Sequence, residues 1–305
     1  MAAAANETKL TLGPVLFNWP PEAWRDFYFR IADEAPVDTV SIGEVVCSKR
    51  SPFFAPHLAQ VVERLEAAGK EVVHATLALI MSDDDLQAVR ALAGDEEMLV
   101  EANDISAVSL LAGRRHTIGP LVNVYSEGTL AALAEQGAER VCLPPEMPAR
   151  IIAALAKTAE PELEVQVFGR LPLALSVRCY HARSRNLHKD GCQFVCADDP
   201  DGMAVETLDG DPFVAVNGTQ TLSHAWCNLV RELAQMKAAG LCRFRLSPQD
   251  VDMVAVAGTF RDVLDGRLEA DAAFAALAEI AHGSPFSNGF YHGTEGVRLV
   301  EPAVE

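Results

Sequence analysis

The chain has 305 residues, half of them apolar, and a formal net charge of −18 spread along its length. This is material for one α/β barrel of about 250 residues plus insertions, and so acidic a surface repels phosphate backbones and disfavours non-specific nucleic-acid binding. No window approaches the roughly 18 apolar residues of a membrane span, and the start, from Met1 to Leu10, lacks the basic and apolar regions of a secretory signal.

The rhythm is strand then helix. Residues 11–17 read as a first strand, and Pro20, Pro21 and Glu22 open a helix with Trp24, Phe27, Tyr28 and Ile31 at helical spacing. Residues 39–43 form a second strand, followed by a helix through Leu58, Val61, Val62 and Leu65 that Gly69 stops. A third strand covers 71–80, and Ser82 with three aspartates caps the helix carrying Leu86, Val89 and Leu92. Strand four spans 98–101 with a helix over 105–111; strand five spans 118–125 with a helix around Leu130 and Leu133. Strand six spans 140–143, with Ile151, Ile152 and Leu155 on its helix, and strand seven spans 163–168. Strand eight covers 241–246, and a helix begins near Pro248.

Eight strand–helix pairs in order predict a (β/α)8 TIM-like barrel, a single domain over 1–305, rather than a doubly wound open sheet, because no Gly-rich phosphate loop follows an early strand. One connection departs from the rhythm. About 70 residues separate strands seven and eight, against a usual 2–6. This stretch carries an insertion over about 176–222 with an extra strand pair around 203–217, then the helix of strand seven with Leu229, Leu233 and Met236.

The insertion holds Cys179, Cys192 and Cys196, while Cys47 follows strand two. Chemistry in such barrels sits at the C-terminal ends of the strands, and strands seven, eight, one and two are neighbours around the closed ring. The four thiols therefore fall on one rim, where they can hold a metal. Their spacing is neither a ferredoxin run nor a zinc ribbon, and leaves iron–sulfur, zinc and unrelated thiols open. Cys142 and Cys242 on strands and Cys227 on an apolar helix read as small buried hydrophobes. An odd cysteine count without a signal points to reduced thiols and a cytoplasmic setting.

Other polar residues collect at strand ends: Glu44, Asn103, Asp104, Asn123, Tyr125, Glu146, Arg170, Arg178, Arg245 and Gln249. Two readings stay open for them. Asp104 and Gln249 fit helix capping as well as function. Arg170, Arg178 and Arg245 form either a clamp for a carboxylated small molecule or ion pairs with Glu44 and Glu146. His181, two residues after Cys179, is a candidate proton carrier or outer partner of the ligands. His74 reads as a core histidine, and His292 belongs to a glycine-rich closing segment. No nucleophile elbow, His-Glu-x-x-His motif or Walker loop occurs.

Several segments together resemble a known family. They are Gly43-Glu44-Val45-Val46-Cys47-Ser48-Lys49-Arg50, Val100-Glu101-Ala102-Asn103-Asp104, Leu143-Pro144-Pro145-Glu146, Phe168-Gly169-Arg170-Leu171-Pro172-Leu173 leading to Arg178-Cys179-Tyr180-His181-Ala182-Arg183, and Arg245-Leu246-Ser247-Pro248-Gln249. The resemblance is to the UbiV-like branch of the collagenase-like (U-family) peptidase group, over about residues 9–298, leaving out the alanine-rich start. It implies a 4Fe–4S cluster on Cys47, Cys179, Cys192 and Cys196. It also implies a heterodimer with a homologous UbiU-like subunit, a UbiT-like lipid-binding accessory protein, and O2-independent hydroxylation of the aromatic ring in ubiquinone biosynthesis. A small anionic co-substrate such as prephenate is the implied hydroxyl donor. Peptidase activity is not implied for this branch. Relatives hydroxylate RNA bases, so that activity, or a non-catalytic cluster-bearing subunit, is the alternative.

Overall fold

The computed structural model describes residues 7–301; the alanine-rich start lies outside them. In chain order the elements are β1 (Lys9–Leu12), α1 (Pro21–Glu34), β2 (Thr39–Ile42), α2 (Ser51–Ala67), β3 (Glu71–Ala75), α3 (Asp83–Gly94), β4 (Val100–Ala102) and α4 (Ile105–Leu110). Then come β5 (His116–Ile118), α5 (Glu127–Glu135), β6 (Ala138–Cys142), α6 (Ala149–Ala156) and β7 (Glu162–Leu175). The insertion contributes α7 (Tyr180–Ser184), β8 (Met203–Glu206), β9 (Pro212–Asn217) and β10 (Gln220–Asn228). The chain finishes with α8 (Leu233–Ala238), β11 (Arg243–Leu246), α9 (Met253–Leu264), α10 (Ala270–Ile280) and β12 (Phe286–Ser287).

Strands β1 to β7 and β11 form a closed parallel barrel, because β11 pairs with both β1 and β7. This is the (β/α)8 architecture that the rhythm predicts. The 14-residue β7 serves two parts of one continuous sheet. Its first half pairs in parallel with β6 and β11, and its second half pairs antiparallel with β10, which continues to β9 and β8. The insertion is thus a twisted extension of the barrel wall, rooted on the rim at the strands' C-terminal ends.

The barrel lumen is ionic rather than filled by branched apolar side chains. Arg245 on β11 donates to Glu101 on the opposite strand β4 at 2.6 and 3.0 Å and to Glu164 on β7 at 3.0 Å. Two residues earlier on the same strand face, Arg243 bonds Glu162 and Thr39, and Arg140 reaches Glu71 at 2.8 Å. Alternation then sends Leu10, Leu12, Val40, Ile42, Phe244 and Leu246 outward, into the apolar layer between strands and helices.

Several boundaries differ from the sequence reading. Strand five is His116–Ile118 rather than 118–125, because Pro120 opens a 3-10 turn. Cys227 lies on β10, not on a helix, yet is buried as expected, as are Cys142 and Cys242. The last barrel helix begins at Met253 rather than near Pro248, where Asp252 accepts from the Val254 and Ala255 amides. Helix α10 went unassigned, its inward stripe being only Ala273 and Leu277. Among the described residues no helix is long and apolar enough to cross a membrane.

Candidate metal centre

The Cys47 loop is shaped by two neighbours in sequence. Gly43 ends β2 with φ 125°, and a Cβ there would lie 2.8 Å from the Ala75 carbonyl oxygen on β3. Both facts require glycine. Gly43→Ala is therefore expected to lower stability by about 1–3 kcal/mol, seen as an earlier urea midpoint at an unchanged slope. Glu44 then accepts through Oε1 from the amides of Val46 (2.8 Å) and Cys47 (2.9 Å), closing a carboxylate-held turn. Burial pushes the Glu44 carboxyl up, against the opposing pull of Arg50 and those amides. Cys47 precedes the 3-10 turn Ser48–Arg50, which runs directly into α2.

Cys179 follows the outer end of β7 and caps α7, its Sγ accepting from the Ala182 amide at 3.4 Å. Cys192 and Cys196 lie in tight turns bent by left-handed Gln193 (φ 51°) and Phe194 (φ 55°). Phe194 packs edge-on against Phe53 at the start of α2, with ring centroids 4.7 Å apart. Lys49 adds a second tie, donating to the Lys189 carbonyl at 2.7 Å and to Asp190 at 2.8 Å. These contacts fasten the insertion's turns onto the loop after β2.

Cys47, Cys179, Cys192 and Cys196 line one small cavity, together with Lys49, Arg50 and Lys189 and without a carboxylate. None of the four is in a disulfide. Arg50 is 1% exposed and donates to the Leu16 carbonyl and Asn217 Oδ1, both at 2.9 Å, with a further side-chain hydrogen bond to Cys196. The negative groups acting on it are Glu44 and, next, the sulfurs of Cys196 and Cys47. A guanidinium buried in this way is costly unless negative charge is close. Burial pushes the Cys47 thiol up against the pull of Arg50, and pushes the Cys179 thiol up against the Ala182 amide. Metal binding would require those protons to leave, and the resulting thiolates would carry the negative charge that Arg50 and the two lysines balance. The Asn18 amide also donates to Cys196 Sγ at 3.4 Å, one of the hydrogen bonds that tune a thiolate-held centre.

The donor set thus fits a group held by four thiolates. Among the described residues no three His, Cys, Asp or Glu are arranged to hold a metal ion, so the four cysteines share a cavity without forming a ready-made ligand set. The four sulfurs stand around a cavity.

Residues 27–301 match the family model for peptidase family U32. The chain belongs to peptidase family U32. Among solved structures it is similar to a DAHP synthase from Thermotoga maritima, at 11% identity over 92% of this chain and 71% of that one, with a TM-score of 0.43. It is also similar to a tryptophan synthase chain from Pyrococcus furiosus, at 11% identity over 90% and 99% of the two chains, with a TM-score of 0.42.

In this U32 family member the remaining candidates scatter. Arg245 is consumed in the lumen by Glu101 and Glu164, and Asn103 donates there to Glu101 at 3.1 Å. Arg170 pairs with Asp201 at 2.9 Å and bonds the Ser223 and His224 carbonyls. Arg178 is exposed. The three arginines therefore do not form one clamp, and the ion pairs are with residues other than Glu44 and Glu146. Tyr125 donates to Glu146 at the surface, and exposed Asn123 ends a 3-10 turn in the left-handed conformation. Asp104 caps α4, and Gln249 bonds the Ser247 and Pro248 carbonyls. Buried His181 holds Asp199 at 2.8 Å, and His292 meets Glu232 at 2.9 Å. Sequence reasoning missed Lys49, Lys189 and Arg50 as parts of the cysteine cavity. The one available signal was the Lys49-Arg50 pair following Cys47, in a chain otherwise rich in acid.

Proposed function

We propose that this protein carries a 4Fe–4S cluster on Cys47, Cys179, Cys192 and Cys196. With a UbiU-like homologous subunit, it serves O2-independent ring hydroxylation in ubiquinone biosynthesis, as the UbiV-like resemblance implies. The observation that carries the reading is the meeting of four unpaired cysteines from three separate segments in one cavity whose charged residues are all positive. A cluster, when bound, supplies one-electron transfer at a potential set by its burial and hydrogen bonds. The chain's own contributions are the N–H donors on Cys179 and Cys196 and the cations of Lys49, Arg50 and Lys189. A UbiT-like accessory protein and a small anionic co-substrate such as prephenate complete the system.

Cys179→Ala is expected to abolish both the brown visible absorbance of anaerobically purified protein and quinone production without oxygen. A variant that keeps both sinks the proposal. Iron and sulfide quantification separates it from a zinc-stapled protein, which would contain zinc instead. Direct RNA hydroxylation is disfavoured by the net charge of −18. Turnover by this chain without its partner would exclude a purely supporting, non-catalytic role.

A further inference from the structure

The outer surface of the insertion, beside the cysteine cavity, has a charge unlike the rest of the molecule. Between Ser176 and Ala197 the chain has four cations, Arg178, Arg183, Arg185 and Lys189, against one carboxylate, Asp190. The remainder holds 21 of the 25 Lys and Arg residues but 42 of the 43 Asp and Glu residues. The local sign is opposite to that of the whole.

Three of those cations are unspent. Arg178, Arg183 and Arg185 are exposed, and their guanidinium groups make no ion pair or hydrogen bond among the described residues. Lys49 and Lys189, by contrast, are tied down, Lys49 to the Lys189 carbonyl and Asp190, and Lys189 to Met81 Sδ. The backbone sets the three arginines around one cysteine. Arg178 immediately precedes Cys179, and the one-turn helix α7 follows it, with the Arg183 amide donating to the Cys179 carbonyl at 3.2 Å. His181 and Ala182 are buried, which turns the other side of α7, with Tyr180 and Arg183 three residues apart, to solvent. Val177 and Tyr180 add exposed apolar surface next to the arginines. Tyrosine and arginine beside a small apolar centre are the side chains enriched at protein interfaces. Cys47, Cys179 and Cys192 are not fully buried, so the sulfurs lie close to this surface.

We propose that the face of the insertion carrying Val177, Arg178, Tyr180, Arg183 and Arg185 docks a small acidic one-electron carrier protein beside the cysteine cavity. Charge complementarity selects an acidic occupant. Nucleic acid is disfavoured, because a phosphate backbone runs past the patch onto surface of its own sign. A small carrier needs only a limited contact, below about 1,200 Å2 in encounters of this kind. In the step that docking serves, one electron leaves the reduced carrier and enters the oxidised centre; no bond forms or breaks and no proton moves. The electron step rests on the cluster reading above, and the docking on the surface alone.

The probe is oxidised plant-type 2Fe–2S ferredoxin, titrated calorimetrically into the full chain at about 50 mM and about 300 mM salt. Binding is expected at the lower salt, weakening at least about tenfold at the higher. The triple variant Arg178→Glu, Arg183→Glu, Arg185→Glu is expected to weaken it by about tenfold or more at the lower salt. A second triple, Arg90→Glu, Arg150→Glu, Lys157→Glu, makes the same change in net charge at exposed positions on α3 and α6. It is expected to bind within about threefold of the unmodified chain. In anaerobic stopped-flow mixing, the insertion triple is expected to slow reduction of the centre by reduced ferredoxin at least about tenfold, with iron per chain unchanged. No ferredoxin binding to the unmodified chain, unchanged affinity in the insertion triple, or an equal loss in both triples each overturns the proposal. So does loss of pairing with the homologous subunit in the insertion triple, which assigns the face to that subunit. Single-stranded RNA binding more tightly than ferredoxin through the same arginines overturns it too. An iron-free chain that still binds ferredoxin through the three arginines defeats the cluster reading and leaves the docking surface standing.

Discussion

Arg245→Leu is expected to destabilise the fold by about 3–5 kcal/mol, the largest loss from any single replacement considered, because it leaves two buried carboxylates facing each other without their cation. Arg245 is 4% exposed, Glu101 3% and Glu164 1%. In the native protein burial alone would raise the Glu164 pKa. The fields of Arg245 and Arg140, with hydrogen bonds from Thr11 and Arg245, outweigh burial and hold it below the ordinary value. A depressed carboxyl pKa contributes stability that is present above the unfolded value, about 4.3 for glutamate, and is lost as pH falls through the folded value. Removing Arg245 reverses the sign: burial then raises the pKa, and the variant loses stability as pH rises. The deficit measured by urea unfolding should therefore be greatest near pH 7 and shrink below about pH 4.5. A deficit independent of pH would show that lost packing, not charge, dominates.

Arg50→Met is expected to act on the metal centre first. The replacement removes a buried cation that lines the cysteine cavity and is tied to the Leu16 carbonyl, Asn217 and Cys196. One unit charge several Å away, at an effective dielectric of about 20, is worth on the order of 2 kcal/mol. For a one-electron couple that corresponds to a potential lower by roughly 100 mV, because a nearby cation favours the more negative, reduced state. Anaerobic redox titration should show this shift, together with less iron retained per chain. Arg50→Lys, which keeps the charge, should recover most of the potential. A potential unchanged in Arg50→Met would remove this residue from the account of the centre.

The architecture was legible because each parallel strand is followed by a helix with its own start and stop signals, such as Ser82 before α3, which accepts from the Asp85 amide as expected. The outer half of β7 was not legible. The sequence reading ends that strand at 168, just before Gly169 and Pro172, yet Pro172 sits on the rim extension opposite Leu222, beside a register shift in the pairing with β10. Strand β10 was hidden for a related reason, since Leu229, Leu233 and Met236 extend a helical spacing backward over Cys227. At the rim, the cysteines were legible as a group because the ring order puts the loop after β2 near the insertion. The arginines were not, since only the pairing geometry shows that Arg245 points across the lumen at Glu101. Arg50 carried no periodic signal because its role depends on Leu16 and Asn217, far away in sequence.

The closing of the barrel by β11 sets a timetable for the nascent chain. Cys47 is made early, but β11, which joins β1 to β7, is complete only at Leu246. At 5–20 residues per second, those roughly 200 residues take on the order of 10–40 s to synthesise. Throughout that interval β1 and β7 have no strand between them and the ring is open. Closure of the barrel wall beside the thiol site is thus expected to be a late event in synthesis.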